Sequence, residues 1–272
     1  MLKTRVITAL VLLAVLLPVL YSGNYIAFCV VASAFFGAAI WECQRLFKKP
    51  LAMPMSAIWL AVFVYFLSHL EQFSAPLMLA IVAALWWIRM VPLLKKGLPD
   101  TEGYANGILS TLYGLSIFAC FSAMAILFQY SSLFLLSVMA IVWVADIGAY
   151  FAGKAFGRRK LAPAISPGKS WEGAIGGWIA VLLLATAAAM TPALQATFPA
   201  QLLARKGWLI FLIVLTILSA ASVVGDLFES MLKRRVGMKD SSNLLPGHGG
   251  VLDRIDALIP VLPLATLILM WR

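Results

Sequence analysis

The chain has 272 residues, 63% of them hydrophobic and only 12% charged, with 21 basic and 11 acidic side chains and a net charge of +10. Soluble domains carry roughly a quarter charged residues. The composition therefore excludes an ordinary soluble domain and predicts an all-α polytopic integral membrane protein, whose helices satisfy their own backbone hydrogen bonds. The basic excess does not indicate nucleic acid, because these residues sit beside apolar spans, where they set orientation or meet anionic headgroups.

Taken in order, the chain opens with MLKTR and an apolar run. No small-residue cleavage site follows Tyr21, so the run is expected to be a retained first span rather than a signal peptide. A transmembrane helix needs roughly 20 apolar residues, and about 17 at the least. Nine candidates follow: 5–21, 25–41, 55–70, 75–94, 107–128, 132–152, 173–191, 207–225 and 255–271. Cys29, Cys43 and Cys120 are scattered through them without metal spacing and are expected to be small apolar fillers. Trp and Tyr near the span ends suit an interfacial belt. His69 closes a span and receives no role.

Charge in the loops tests the span count. Lys3 and Arg5, the 45–49 loop, the 89–96 region, the 154–169 loop and the 233–254 region carry eighteen of the 21 basic residues, and they fall on one side of the membrane. Only Arg205, Lys206 and Arg272 fall on the other. By the positive-inside rule the N-terminus is cytosolic and the C-terminus lies outside. Seven of the eleven acids (Asp146, Glu172, Asp226, Glu229, Asp240, Asp253 and Asp256) lie in the second half, at or near that cytosolic side. Residues 1–130 are expected to be a lipid-facing scaffold, and residues 131–272 to carry the chemistry, within one membrane unit.

Three polar clusters interrupt the apolar pattern. In 143–177, Asp146, Tyr150 and Lys154 share a helical face. They are followed by Arg158, Arg159, Lys160 and Lys169, a basic loop that suits a polyphosphate or a plain positive-inside turn. Gly168-Lys169-Ser170 is not a P-loop, since Pro163 stands where its first glycine belongs and membrane spans flank it. The eighth span leaves the membrane as VVGDLFESMLKRR, placing Asp226, Glu229 or Ser230, and Lys233 on one face. An acid there is either a helix-end ion-pair partner or a functional group. Then comes LPGHGGVLDRID, a glycine loop able to present backbone N–H groups to an anion. Asp253 and Asp256, three apart, and Asp226 across the gap suit a divalent cation shared with phosphate, because Mg²⁺ is usually held by one or two carboxylates plus substrate phosphates. His248 suits phosphate binding and acid–base work equally.

Within this last region Ser230, Lys233-Arg234, Lys239-Asp240, His248-Gly249-Gly250 and Asp253-Arg254-Ile255-Asp256 match a pattern. The chain here resembles the phosphatidate cytidylyltransferases (CDP-diacylglycerol synthases). Asp146, Gly153-Lys154, Phe156-Gly157, Ser166-Pro167, Lys169 and Glu172-Gly173 extend the likeness over the C-terminal half. The resemblance implies a bacterial inner-membrane enzyme that makes CDP-diacylglycerol and pyrophosphate from CTP and phosphatidic acid. It implies a Mg²⁺ centre at Asp226, Asp253 and Asp256, with K⁺ as a second cation, and a homodimer. It further implies catalytic parts for Lys239 and His248, and substrate contacts from Asp146, Lys154, Ser166, Lys169, Glu172, Ser230, Lys233, Arg234, Asp240, Gly249, Gly250 and Arg254. A related lipid nucleotidyltransferase or a CTP-using polyprenol kinase would share such polar parts. A cation-coupled transporter would place them nearer the bilayer midplane.

Overall fold

The computed structural model describes residues 2–70 and 75–270. Trp271, the last residue of the ninth expected span, Arg272, and the side chains of Lys3 and Arg5 lie outside this description. The helices are α1 (Leu2–Ser22), α2 (Tyr25–Leu46), α3 (Ala52–Ser68), α4 (Ala75–Lys96) and α5 (Tyr104–Tyr130), then α6 (Ser132–Phe156), α7 (Trp171–Met190), α8 (Phe198–Arg235) and α9 (Leu258–Met270). Among the described residues six, α2 and α4 to α8, are long and apolar enough to cross a membrane. The apolar parts of α1, α3 and α9 are shorter. Each expected span falls on one of these helices, and the chain is a multi-pass membrane protein of the all-α class.

Local chemistry sets the helix ends. Asn24 Oδ1 accepts the Ala27 N–H at 3.0 Å and starts α2. Ser131 Oγ accepts from Phe134 at 3.3 Å at the head of α6. Such caps satisfy donors that a helix start leaves open. Pro92 has no N–H to give and its ring crowds the carbonyl four residues back; the turn just before it, Trp86–Met90, widens into a π-helix. α8 begins earlier than expected, at Phe198, and kinks at Gly207, where φ is 74°. A residue without Cβ takes that conformation at little cost.

The segment expected as a basic loop is instead a small hairpin. Strands β1 (Lys160–Ala162) and β2 (Ser166–Ser170) run antiparallel, with Lys160 opposite Ser170 and Ala162 opposite Ser166. Ser170 then caps α7, its Oγ accepting the Gly173 N–H at 3.1 Å. β2 is thereby fixed to the head of a membrane helix.

α5 is the central helix, buried along most of its length. Phe36 of α2 stacks on Phe63 of α3 at 4.2 Å and meets Phe121 of α5 edge-on at 5.6 Å. Cys43 and Cys120 are buried there as free thiols. Outward-facing side chains such as Ile26, Val30, Ile58, Leu183 and Leu209 are exposed and apolar, as lipid requires. Between α6 and α7 the contact is close enough to need glycine. A Cβ on Gly177 would lie 2.4 Å from the Ala145 carbonyl oxygen, and one on Gly176 would lie 2.2 Å from Ala152 Cβ. Lipid tails are as apolar as leucine, so small residues and close approach, not burial from water, hold such helices together. Overpacking a tight contact costs about 1–3 kcal/mol. Gly177→Val should therefore lower the melting temperature of the detergent-solubilised protein by several degrees, while Gly168→Ala, with open space at its Cβ, should leave it unchanged.

Candidate active site

The charged residues collect at one end of the bundle, where α6 and α8 finish and α7 and α9 begin. A cavity of about 490 Å³ opens there, lined by Asp146, Tyr150 and Lys154 of α6, Ser166 and Lys169 of β2, Trp178 of α7, and Ser219, Val223 and Asp226 of α8. The hairpin folds over this cavity and brings Lys169 onto Asp226 as an ion pair. The other oxygen of Asp226 accepts from Ser230 Oγ at 3.2 Å. Asp146 lies ten residues before the end of α6, about 15 Å along the axis at 1.5 Å per residue. The cavity thus reaches deeper into the apolar part of the bundle than a cluster confined to helix ends.

Asp146 and Asp256 both feel the charge of Asp226 and of Lys169. Behind them is a second knot around Lys233. Its ammonium pairs with Glu229 on the same helix and with Asp253 Oδ1 at 2.5 Å. Glu229 is fully buried, and its Oε1 has no hydrogen-bond partner among the described residues. Asp253 Oδ2 accepts three bonds: from Ser241 N–H at 2.8 Å, Ser241 Oγ at 2.9 Å and Gly250 N–H at 2.8 Å. Burial pushes the Asp253 carboxyl up, but Lys233 and these backbone donors outweigh it and hold the group below the usual carboxylate range.

The one-turn helix Leu252–Ile255 carries Asp253 and is closed by Asp256, and the two aspartates part in direction. Asp253 turns to Lys233 and Ser241, whereas Asp256 lies by Asp226 and accepts the Ala257 N–H at 2.7 Å. Among the described residues no three His, Cys, Asp or Glu side chains form a ready metal cage. Two of the three expected ligands, Asp226 and Asp256, are electrostatic neighbours. The third, Asp253, has both oxygens engaged by protein donors.

Other expected site residues separate by task. Asp146, Lys154, Ser166, Lys169 and Asp226 share the cavity. Glu172 points away from it, accepting the N–H groups of Arg158 at 3.1 Å and of Arg159 at 3.1 and 3.2 Å, and so fixes the entry to the hairpin. Arg234 reaches the Ile165 carbonyl at 3.5 Å. Lys239 and Asp240 line a different pocket of about 500 Å³ with Trp41, Arg45 and Asn243. His248 is not among the residues lining the cavity beside Asp226; its Nδ1 is buried without a partner among the described residues, and its carbonyl accepts from Arg254 at 2.6 Å. Gly249, at φ 85°, allows the turn to close, since a Cβ there would lie 2.7 Å from Asp253 Oδ2. Gly250 gives its N–H to Asp253 and has no room for a side chain.

Glu42 was not singled out by the sequence, and Glu229, placed as an alternative to Ser230 on the face of Asp226 and Lys233, was not among the expected site residues. Glu229 is spaced with Asp226 and Lys233 on α8, a signal that could have found it. Glu42 is a single acid near the end of α2, and its partners lie about 200 positions away.

Fold and site together define a multi-pass membrane protein with an ammonium–carboxylate centre at one end of its helices. The chain belongs to the cytidylyltransferase family, whose model matches residues 3–271. It is 41% identical over 271 residues to a phosphatidate cytidylyltransferase of Pseudomonas aeruginosa, covering 97% of this chain and 95% of the relative. A phosphatidate cytidylyltransferase of Haemophilus influenzae is 39% identical, with 97% and 96% covered. One of Bacillus subtilis is 33% identical, with 96% and 95% covered.

Breaking a buried ion pair by removing one partner costs about 3–5 kcal/mol. Asp253→Asn leaves Lys233 with Glu229 as its one remaining described ion-pair partner and turns an amide NH₂ toward donors that need an acceptor. Its melting temperature should fall by roughly ten degrees or more, whereas Arg158→Ala, an exposed side chain, should leave it unchanged.

Proposed function

We propose that the chain transfers the cytidylyl group of CTP to phosphatidic acid, giving CDP-diacylglycerol and pyrophosphate. The observation that carries this is the cavity beside Asp226, whose lining combines the ammonium groups of Lys154 and Lys169 with apolar side chains such as Trp178 and Val223. A lipid phosphate and a nucleotide triphosphate can meet only in a place of that mixed character.

An oxygen of the phosphatidate phosphate attacks the α-phosphorus of CTP, and the bond from that phosphorus to the α,β-bridging oxygen breaks as pyrophosphate leaves. A phosphate monoester with a second pKa near 6 is already ionised at neutral pH, so the nucleophile needs no strong base. The difficulty is the mutual repulsion of two anions and the charge that builds on the leaving group. Lys169 and Lys154 face that charge as compact ammonium groups. Asp226, the ion-pair partner of Lys169, keeps that side chain extended into the cavity, and Ser230 in turn holds Asp226.

The donor set fits a hard cation. Asp146, Asp226, Glu229, Asp253 and Asp256 are electrostatic neighbours, and these five carboxyl groups outnumber the ammonium groups of Lys169 and Lys233 that they feel. Asp226 and Asp256 would hold Mg²⁺, with K⁺ as a second cation alongside, and substrate phosphates would complete the oxygen shell. When bound, Mg²⁺ neutralises charge on the attacking and leaving oxygens. Asp253, bound to Lys233 and Ser241, serves as the anchor of this wall. We assign the site to the cytosolic face of a bacterial inner membrane in a nine-span chain that pairs as a homodimer; the skewed distribution of basic residues supports the orientation.

The test is pyrophosphate release by purified protein given CTP and phosphatidate. Activity should require Mg²⁺ and vanish on chelation. A charge-assisted contact is worth roughly 1.5–3 kcal/mol, so Lys154→Ala and Lys169→Ala should each raise KM for CTP, or lower kcat, about ten- to a hundredfold. Wild-type CTP kinetics in both would leave these lysines as orienting charges only. No pyrophosphate release from the wild type would refute the function itself.

Orientation is tested by labelling in a background lacking the three native cysteines. Lys160→Cys and Asn243→Cys, at exposed positions, should react with reagent on the cytosolic side, and Ala196→Cys with reagent outside. Labelling of position 243 from outside would reverse the topology.

A further inference from the structure

Glu42 lies near the end of α2, in the half of the chain expected to be scaffold, and is completely buried. None of the described ion pairs includes it. Four hydrogen-bond donors surround it instead. Oε1 accepts from Ser242 Oγ at 2.5 Å and from the Val251 N–H at 3.0 Å. Oε2 accepts from the Leu252 N–H at 2.6 Å and from Ser241 Oγ at 3.1 Å. Val251 and Leu252 open the turn that carries Asp253 and Asp256. Ser241 binds Asp253 from the other side, through both its N–H and its hydroxyl. That hydroxyl has one proton and stands between two carboxylates.

The packing is specific to a glutamate here. A Cβ on Gly250 would lie 2.4 Å from Glu42 Oε1 and 2.1 Å from Ser241 Oγ, so the loop closes onto the carboxylate only because residue 250 has no side chain. A carboxylate accepts at both oxygens and donates at neither. Glutamine in its place would turn an NH₂ toward either the Val251 or the Leu252 N–H. The serine hydroxyls could rotate to suit it, but the backbone donor could not.

We propose that Glu42 is a positioning residue for the reaction. On the reading that Asp253 and Asp256 belong to the reacting centre, it sets their orientation by clamping Ser241 and the start of their helical turn. Its carboxylate touches no substrate. It fixes the loop from below, and Ser241 transmits that constraint to Asp253. A buried donor left without an acceptor is expensive, and a loop displaced by about 1 Å can cost a hundredfold in rate.

The experiment uses the full detergent-solubilised chain, with turnover expressed per folded, monodisperse protein. Glu42→Gln should lower kcat about ten- to a hundredfold and leave KM for CTP within about twofold; inactive protein would give the same split, so the loss must persist when turnover is counted per folded, monodisperse protein. Glu42→Asp should recover part of kcat. Because the two residues act in series, Glu42→Gln combined with Ser241→Ala should be no slower than the worse single variant. Normal kcat in Glu42→Gln, or effects of the two substitutions that multiply, would overturn the proposal. Should Glu42→Gln fail to fold, Ser241→Ala carries the test alone, since it keeps the Glu42 bonds to Val251 and Leu252, and normal kcat in it would overturn the proposal equally. Full turnover in Asp253→Asn would mark a different failure, that of the role given to Asp253, and the clamp would fall with it.

Discussion

Five carboxyl groups share one end of an otherwise apolar bundle, and the surrounding architecture offsets the cost of keeping them there. Asp146, Asp226, Glu229, Asp253 and Asp256 are linked as neighbours through Lys169 and Lys233. A carboxylate removed from water must find a cation or several hydrogen-bond donors. Each lysine here comes from an element whose position something else secures. Lys233 is fixed by α8 itself, one turn beyond Glu229. Lys169 is fixed by a hairpin whose last residue caps α7 and whose entry is held by Glu172.

The remainder of the fold serves to bring those elements together. α6 and α7 touch along glycines and alanines, so the walls of the cavity are backbone-close and cannot collapse further without a clash. α8 meets the start of α9 as closely: a Cβ on Gly225 would lie 2.4 Å from the Asp256 carbonyl oxygen. The absence of a side chain at 225 is what allows Asp226 and Asp256 to be neighbours. Above the charged knot, Trp86, Tyr113 and Phe228 form an aromatic cluster across α4, α5 and α8. This cluster seats the turn of α8 that carries Glu229.

How much of this could be read from the chain follows from the range of each signal. Apolar runs are local, and every expected span falls on a helix. The lysine-bearing segment 154–169 was legible as a basic stretch but not as a hairpin, because three- and five-residue strands carry too little periodicity to distinguish from a loop. The polar motif residues were legible as a set, yet their division of labour was not. Nothing in the spacing of Asp253 and Asp256 says that one faces Ser241 while the other faces Asp226. Glu42 was beyond reach for a different reason. All four of its donors lie between residues 241 and 252, and a single acid near the end of an apolar helix gives no hint of them.

That arrangement also ties the first half of the chain to the loop that carries the aspartates. α2 supplies Glu42 beneath the glycine loop, and Trp41 and Arg45 to the pocket on that loop's far side. Arg235, at the end of α8, reaches back to the Leu46 carbonyl at 3.3 Å and to Asn106 at 3.0 Å. The loop between α8 and α9 is therefore gripped from the first half of the chain at both its start and its close. Its own backbone contributes an isolated bridge between Leu245 and Gly249, too little to hold a glycine-rich segment in one shape against its conformational entropy. Precision in the aspartates must come from outside the loop, where Lys233 pairs with Asp253 and the buried Glu42 carboxylate holds the Val251 and Leu252 N–H groups.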